Sequence, residues 1–134
     1  MKYYTSLVNT FHHVFKIKTP KQVPCFTDKK DYILRYDLGK EELDEYLEAC
    51  KENDLIEIAD SLGDQLYILC GTILKHGMAD IIKPVFEEIH RSNMSKLDEQ
   101  GLPIFREDGK VLKGKHYFKP DIKKILDGNV QEKE

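Results

Sequence analysis

The chain has 134 residues, of which 40% are hydrophobic and 34% charged, and its formal net charge at pH 7 is −3. This balance fits one folded domain over residues 1–134 and argues against a disordered chain or a general nucleic-acid binder. Three widely spaced cysteines predict reduced thiols and a cytoplasmic protein. No apolar run approaches the length of a transmembrane helix, so no membrane partner is expected.

The first part of the chain predicts amphipathic helices from the spacing of its apolar residues. Three helices are predicted, over residues 3–16, 29–51 and 55–76. The second follows a loop with two prolines and is capped by Thr27 or Asp28, and the third by Asn53 or Asp54. Gly77 is expected to end the third helix, because glycine readily adopts the left-handed conformation found at helix C-termini.

The rest of the chain predicts two further helices around an irregular segment. The first begins after a cap at Asp80, carries Pro84 in its first turn and runs to about Asn93. Residues 102–118 contain an Asp-Gly turn between short alternations of apolar and polar residues, which predicts a hairpin or an ordered loop. A short final helix begins near Pro120. The predicted fold is therefore all-α, a four- to five-helix bundle with an irregular or hairpin-containing C-terminal segment.

The second and third predicted helices carry an excess of acidic residues. Between Glu41 and Asp64 there are ten Asp or Glu residues and one basic residue, Lys51. Solvated helix faces usually mix charges, because like-charged pairs at i, i+4 destabilise a helix by roughly 0.2–0.5 kcal/mol. We therefore predict that a ligand neutralises these carboxylates, with an ordinary solvated face as the alternative.

On a helical wheel the acidic residues of these two helices form two strips. The strip on the second helix lies beside its apolar stripe and consists of Glu42, Glu45 and Ala49. The other acids of that helix are predicted to point further out: Glu41, Asp44, Glu48 and Glu52. The strip on the third helix consists of Glu57, Asp60 and Asp64, and continues through Gly71 to Lys75. The opposite side of the third helix is predicted to face the core, with Leu55, Ala59, Leu62, Leu66, Leu69 and Ile73.

Carboxylate strips of this kind favour a hard divalent cation. Mg²⁺ prefers oxygen ligands and often binds substrate phosphates at the same time, and Mn²⁺ would be a substitute. No histidine lies within the strips, which argues against zinc. A di-iron bundle needs Glu-x-x-His on two helices, and the chain has one such motif, Glu87-x-x-His90. Residues 106–124 hold seven Lys or Arg against three acids, a charge asymmetry that suits a multiply charged anion held between metal ions and lysines.

The acidic motifs also resemble those of a known superfamily. EELDE at residues 41–45, followed by EIAD at 57–60, has the EExxE…ExxD pattern of the all-α nucleoside triphosphate pyrophosphohydrolases. That superfamily includes MazG-like enzymes, phosphoribosyl-ATP pyrophosphohydrolase and the dimeric dUTP pyrophosphatases. SNMSKL at 92–97 and EDGKVLKGKHYFKPDI at 107–122 closely resemble a MazG-like subgroup called phosphoribosyl-ATP pyrophosphohydrolase-like. The resemblance covers most of the chain.

The resemblance implies roles for individual residues. The Mg²⁺ ligands would be Glu42, Glu45, Glu57 and Asp60. Asp64 and Glu41 would extend the metal cluster or orient the attacking water. The catalytic residue that helps to deprotonate this water would be one of Glu41, Glu42 and Glu45. The residues predicted to bind the substrate are Lys75, at the end of the third-helix strip, and Asn93, Lys96 and Lys113.

The activity implied by the resemblance is Mg²⁺-dependent hydrolysis of a (d)NTP to a (d)NMP and pyrophosphate, in nucleotide-pool house-cleaning. The resemblance also implies a homodimer or homotetramer. The eleven residues between Glu45 and Glu57 make a shorter connection than dUTP pyrophosphatases have, which disfavours that substrate. Two alternatives stay open: a non-catalytic regulatory module that binds metal or nucleotide, and a helical adaptor whose acids only keep it soluble.

Overall fold

The computed structural model describes residues 1–132, with side chains through Gly128; Lys133 and Glu134, the end of the predicted domain, lie outside the described residues. The described part contains five α-helices: α1 Lys2–Val14, α2 Lys29–Lys51, α3 Leu55–Lys75, α4 Ile82–Met94 and α5 Ile122–Glu132. Within that part no strand forms, only one antiparallel bridge between Phe105 and Val111. The prediction of an all-α fold with four or five helices is confirmed.

The helices belong to two compact units, Met1–Asp80 and Ile81–Glu134. In the first unit, α2 and α3 pack against each other as a helical hairpin, and α1 packs against α3. In the second unit, α4 packs against α5. The organisation of residues 1–134 as a single domain stays a prediction.

The predicted N-caps of α2 and α3 are present, and they fix where the acidic helices begin. The side chain of Asp28 accepts a hydrogen bond from the Asp31 backbone N–H at 2.8 Å. The side chain of Asp54 likewise accepts from the Glu57 N–H at 3.1 Å, which places Glu57 in the first turn of α3. Each cap satisfies a backbone N–H that has no partner within the helix.

Gly77 terminates α3 as predicted. Its φ is +64°, and its N–H donates to the Leu74 carbonyl while the Met78 N–H donates to the Ile73 carbonyl, both at 3.0 Å. This pair of hydrogen bonds is a Schellman motif. A Cβ at this position would lie 2.0 Å from the Val23 carbonyl oxygen, so only glycine fits here.

The predicted cap of the fourth helix is wrong. Ile81, not Asp80, occupies the N-cap position of α4, and it makes no side-chain capping hydrogen bond. Ile81 is buried, so packing of its apolar side chain rather than side-chain capping determines this helix start. Pro84 lies in the first turn of α4, as predicted.

The segment between α4 and α5 contains a hairpin-like turn rather than a regular hairpin. The Arg106 N–H donates to the Lys110 carbonyl and the Leu112 N–H to the Ile104 carbonyl, each at 2.8 Å. Gly109 adopts φ +87° at the turn. Of the two predicted alternatives, the structure therefore contains an ordered loop with a single bridge.

The core-facing side of α3 differs from the prediction. Ile73 is buried as expected, but Leu55, Leu62 and Leu69 are 80, 51 and 54% exposed. The buried cluster of the first unit consists of Val8, Cys70 and Leu74. The buried side of α3 instead packs on α1 and on Arg35 of α2, through Cys70 and Leu74 against Val8 and through Gly71 against the guanidinium. None of the helices in the described part of the chain has the length and apolar character needed to span a bilayer.

Candidate metal and substrate site

An acidic groove lies where α2 and α3 approach their connecting loop. It has a volume of about 590 Å³. Its lining consists of Ala49 and seven acidic residues: Glu41, Asp44, Glu45, Glu48, Glu52, Glu57 and Asp60. Four of these acids were predicted to point further out than the Glu42 strip, so that prediction needs correction. Because the small side chain of Ala49 is buried between the helices, the acids on either side of it reach the same groove.

A tighter cluster lies next to this groove. One carboxylate oxygen from each of Glu42, Glu45 and Asp64 lies within 4.8 Å of the other two. Because α2 and α3 run antiparallel from one loop, residues at equal distances from that loop lie opposite each other. Glu42 therefore lies next to Asp64. Glu45 belongs to both the cluster and the groove, so the structure links all five predicted metal ligands through this one residue.

The carboxylates of the cluster lie close enough together to repel one another. Burial, a hydrogen bond with Glu45, and the charges of Asp64, Glu45 and Glu41 raise the pKa of Glu42 to about 7. The Glu42 Oε2 atom is buried and has no hydrogen-bond partner. Among the described residues, the ion pair that reaches the neighbouring groove joins Lys51 to Glu48 at 3.9 Å, and both side chains are exposed. Such a pair contributes little neutralisation.

The residues of the cluster fit a hard divalent cation. All donors are carboxylate oxygens, which are the ligands that Mg²⁺ prefers. The Glu42 Oε2 atom has no hydrogen-bond partner within the protein, so its lone pairs are available to ligate a cation. A buried polar atom without a partner destabilises the fold unless a ligand satisfies it.

Lys75 lies away from these carboxylates. It is buried, its Nζ donates to the Lys18 carbonyl at 2.6 Å, and it forms an ion pair with Asp31 at 3.3 Å. Eleven residues separate Lys75 from Asp64 on α3, which corresponds to roughly 16 Å along the helix. The ammonium therefore has partners within the first unit.

Arg35 is held across α3 near Lys75. Its Nε donates to the Thr72 hydroxyl at 3.0 Å and its Nη2 donates to the Ile68 carbonyl at 2.6 Å. The guanidinium can approach because Gly71 has no side chain: a Cβ there would lie 2.4 Å from Arg35 Nη2 and 3.1 Å from His12 Nε2. Glycine at position 71 therefore makes room for Arg35.

His12 is buried beside these cations. Its Nδ1 lies 3.0 Å from the Thr19 hydroxyl oxygen. Burial, followed by the charges of Arg35 and Lys75, lowers the pKa of His12 below its ordinary value. A neutral imidazole is thus favoured at this position.

A second groove between α2 and α3 was missed by the sequence analysis. It has a volume of about 640 Å³ and is lined by both apolar residues and Arg35, Lys40 and Gln65. Gln65 directly follows Asp64, and its Nε2 atom is buried without a partner. The sequence offered one signal for this groove, the amide of Gln65 next to the predicted metal ligand Asp64. Helical periodicity alone did not distinguish Gln65 from a surface residue.

The predicted substrate-binding residues of the second unit fall in two places. Asn93 and Lys96 line one groove of about 350 Å³. Lys113 is not among the described residues that line this groove; its Nζ lies 4.7 Å from the centroid of the Tyr117 ring. The structure therefore brings two of these three residues together.

Three comparisons place the chain among known proteins. A family model for phosphoribosyl-ATP pyrophosphohydrolase matches residues 8–93. The chain is 33% identical over 97 residues to the uncharacterized protein L479 of Acanthamoeba polyphaga mimivirus, a match that covers 70% of this chain and 35% of that protein. The chain thus spans about a third of the length of this relative.

A solved structure supports the same fold. It is the crystal structure of "a putative NTP pyrophosphohydrolase" from Exiguobacterium sp. 255-15, with a TM-score of 0.51 and 24% identity. The match covers 97% of this chain and 95% of the other, and confirms the predicted type of helical fold. The family match spans both acidic helices and the carboxylate cluster between them. The chain therefore belongs to the phosphoribosyl-ATP pyrophosphohydrolase family.

Proposed function

We propose that this protein is a Mg²⁺-dependent nucleoside triphosphate pyrophosphohydrolase, which releases pyrophosphate and a (d)NMP in nucleotide-pool house-cleaning in the cytoplasm. Membership in a family of pyrophosphohydrolases supports a hydrolase that acts on acid anhydrides. The observation that carries the proposal is the carboxylate cluster, because its unpartnered Glu42 oxygen and its repelling charges both call for a cation.

The cation ligands follow from the two overlapping groups of acids. Glu42, Glu45 and Asp64 would form the tighter site, and Glu57 and Asp60 would extend it along the groove that Glu45 shares. Bound Mg²⁺ supplies a Lewis acid that polarises phosphoryl oxygens and lowers the pKa of a bound water. Mn²⁺ has similar ligand preferences and would substitute for it.

The proton acceptor would come from the same helix. Glu41, Glu42 and Glu45 are the candidates for this role. A pKa near 7 suits a general base at neutral pH, because the group is then available to take a proton yet still basic enough to hold it. Burial and the neighbouring carboxylates raise the pKa of Glu42 in the metal-free cluster, and a bound cation would neutralise those carboxylates, so this shift does not distinguish among the three.

Basic and polar residues of the second unit would bind the substrate's phosphates. Asn93 and Lys96 share one groove, and Lys113 is exposed with its ammonium over the Tyr117 ring. Charge-assisted hydrogen bonds from such groups stabilise phosphate oxygens. A phosphate contact by Lys75 would require its ammonium to leave Asp31 and the Lys18 carbonyl, and that role stays a prediction.

We also propose a homodimer or homotetramer. The row of Leu55, Leu62 and Leu69 recurs every seven residues on α3 and is exposed. A contiguous apolar row of this kind favours burial against another protein surface, and a symmetric copy of the same chain supplies one. Light scattering at micromolar concentration should report more than one chain, and a monomer would contradict the assembly.

The experiment that tests the activity measures pyrophosphate release from each NTP and dNTP with and without Mg²⁺. Release that requires Mg²⁺ is expected. The variant Glu57→Gln/Asp60→Asn should lose this release and the rise in melting temperature that Mg²⁺ causes in the wild type, because a ligand that binds the folded state stabilises it. Its secondary structure should be unchanged.

The same experiment separates the alternatives. A melting temperature that rises with Mg²⁺ without any pyrophosphate release would favour the non-catalytic metal-binding module. The absence of both effects would favour the adaptor whose acids only keep it soluble. An unchanged Mg²⁺ response in the double variant would contradict the assignment of Glu57 and Asp60.

A further inference from the structure

Two serines at the end of α4 bind the backbone of one residue in the irregular segment that follows. Ser92 is 2% exposed, and its hydroxyl donates to the Phe118 carbonyl at 2.8 Å. The Ser95 hydroxyl accepts from the Phe118 N–H at 3.2 Å and donates to the Ser92 carbonyl at 2.6 Å. The Arg91 guanidinium also lies 4.3 Å from the centroid of the Phe118 ring. Both backbone polar groups of Phe118 are therefore satisfied by serine side chains rather than by a second strand.

Two further contacts attach the same segment on either side of the serines. The Glu88 Oε2 atom accepts from the Asp121 N–H at 2.9 Å, and the Lys96 carbonyl accepts from the Gly114 N–H at 2.9 Å. These contacts and the serines between them recur about every four residues, and such residues lie on one side of a helix. Residues 114–121 therefore run antiparallel along one side of α4, and α4 determines where they lie.

Gly114 brings the backbone of this segment close to that of Lys96. A Cβ at Gly114 would lie 2.2 Å from the Leu97 carbonyl oxygen and 3.0 Å from the Lys96 carbonyl oxygen, so this approach requires glycine. Because Lys113 directly precedes Gly114, its backbone is a neighbour of the Lys96 backbone. The two lysines predicted to bind phosphates thus start from adjacent points of the second unit.

The ammonium of Lys113 depends on the same attachment. Its Nζ lies 4.7 Å from the centroid of the Tyr117 ring, and the Tyr117 N–H donates to the Gly114 carbonyl at 3.2 Å. Tyr117 directly precedes Phe118. The serines that hold the Phe118 backbone therefore also hold the ring against which the Lys113 ammonium rests.

We propose that Ser92 and Ser95 are positioning residues, which hold Lys113 beside Lys96 so that both ammonium groups bind the phosphates of one substrate molecule. The inference rests on the proposed pyrophosphohydrolase function. Without the serine hydroxyls, the Phe118 backbone would pair with water and the segment would leave α4 more often. Placement matters for such a role, because a displacement of about 1 Å in a binding group costs up to about a hundredfold in rate.

The first measurement asks whether the serines hold the segment. Ser92→Ala should increase the rate of tryptic cleavage after Lys113 by about threefold to tenfold, the change expected when local opening loses one neutral hydrogen bond. Cleavage after Lys40, in α2 of the first unit, should not change. Ser95→Ala should give the same pattern, and it is the second variant if Ser92→Ala, at the more buried position, does not fold. Ser95→Thr retains the hydroxyl and should behave as the wild type.

The second measurement asks whether the serines act through Lys113. Ser92→Ala should lower kcat/KM for pyrophosphate release about threefold to tenfold. In a Lys113→Ala background the same substitution should have no further effect, because two changes that remove one interaction are not additive. Ser6→Ala is the control, since this exposed serine donates to the Tyr3 carbonyl of its own helix, and it should keep wild-type values. Calorimetric titration with inorganic tripolyphosphate, without Mg²⁺, gives the same comparison without turnover.

The outcomes separate the inference from the function on which it rests. If the wild type releases no pyrophosphate but binds tripolyphosphate, and Ser92→Ala and Lys113→Ala both weaken that binding, the proposed function is wrong and the positioning role holds. Absence of both release and binding would overturn both. Release with wild-type kcat/KM in Ser92→Ala and Ser95→Ala would overturn the inference alone. A Ser92→Ala loss that persists in full in the Lys113→Ala background would also overturn it, because the serine would then act without Lys113.

Discussion

The two halves of the α2–α3 hairpin differ in whether their charged side chains have partners within the protein. In the half of the hairpin next to the loop, close to its middle, Glu42, Glu45 and Asp64 bring carboxylates of one sign together, and one of their oxygens is buried without a partner. At the other end, Arg35 and Lys75 are each held by polar partners from neighbouring segments. The same pair of helices thus contains a cluster of carboxylates without cationic partners and two cations whose hydrogen bonds and ion pair are made within the protein.

This difference separates charges that stabilise the fold from charges that lack a protein partner and suit a ligand. Lys75, which is buried, and Arg35, which is half-buried, have several protein partners that help fix the packing of α1, α2 and α3, and Gly71 leaves room for Arg35. Crowded carboxylates do not stabilise the fold by themselves, because each raises the energy of the next. Residue type alone does not separate these two groups of charges, whereas the presence or absence of a protein partner does.

The largest effect is expected from removing the residue that the acidic groove and the cluster share. Glu45→Gln should lower kcat/KM for Mg²⁺-dependent pyrophosphate release by about 100- to 1,000-fold, because metal-based charge stabilisation contributes several kcal/mol. Glu52→Gln, in the groove but outside the cluster, is the matched control and should stay within about tenfold of the wild type. Equal losses in both variants would break the distinction between cluster and groove.

A smaller effect is expected from a cation outside both ends of the hairpin. Lys113→Ala should lower kcat/KM about tenfold to a hundredfold, the loss of one charge-assisted hydrogen bond of roughly 1.5–3 kcal/mol. The free energy of unfolding should change by less than about 0.5 kcal/mol, since the residue is exposed. Lys110→Ala, in the same loop, is the control. Wild-type kinetics in Lys113→Ala would make the segment around it an ordinary loop.

The cationic end can be tested with two glycines of α3. Gly71→Ala should lower the free energy of unfolding by about 1–3 kcal/mol, because the new Cβ would displace Arg35 from its partners. Gly63→Ala meets no atom within 4 Å and should raise it by about 0.5–1 kcal/mol, since alanine favours helix. Urea denaturation measures both. Stabilisation by both substitutions would show that Arg35 moves aside freely.

The smallest effect is a pH dependence at His12. The lowered pKa means that below about pH 6.5 the unfolded chain binds a proton that the native imidazole does not, so stability should fall as pH decreases from there. One proton limits the slope to about 1.4 kcal/mol per pH unit. His12→Gln should remove this component, whereas His13→Gln, at an exposed neighbour, should retain it. Identical pH profiles for the two variants would contradict the assignment.

The helices and most of their ends could be predicted from the amino-acid sequence. Asp28, Asp54 and Gly77 act through their own backbone neighbours, and such local hydrogen bonds and φ preferences can be read from a few residues. The excess of carboxylates was equally visible, as was their resemblance to a family of pyrophosphohydrolases.

Which charged residues lie next to each other depends on the packing of the helices. A helical wheel gives the direction of each side chain but not the residue opposite it, so the pairing of Glu42 with Asp64 depends on the register of α2 against α3. Burial likewise depends on neighbouring segments: Lys75 extends an acidic strip in sequence, yet Asp31 and the Lys18 carbonyl hold it in the interior. The unpartnered Nε2 atom of Gln65 is likewise a property of packing that periodicity does not show.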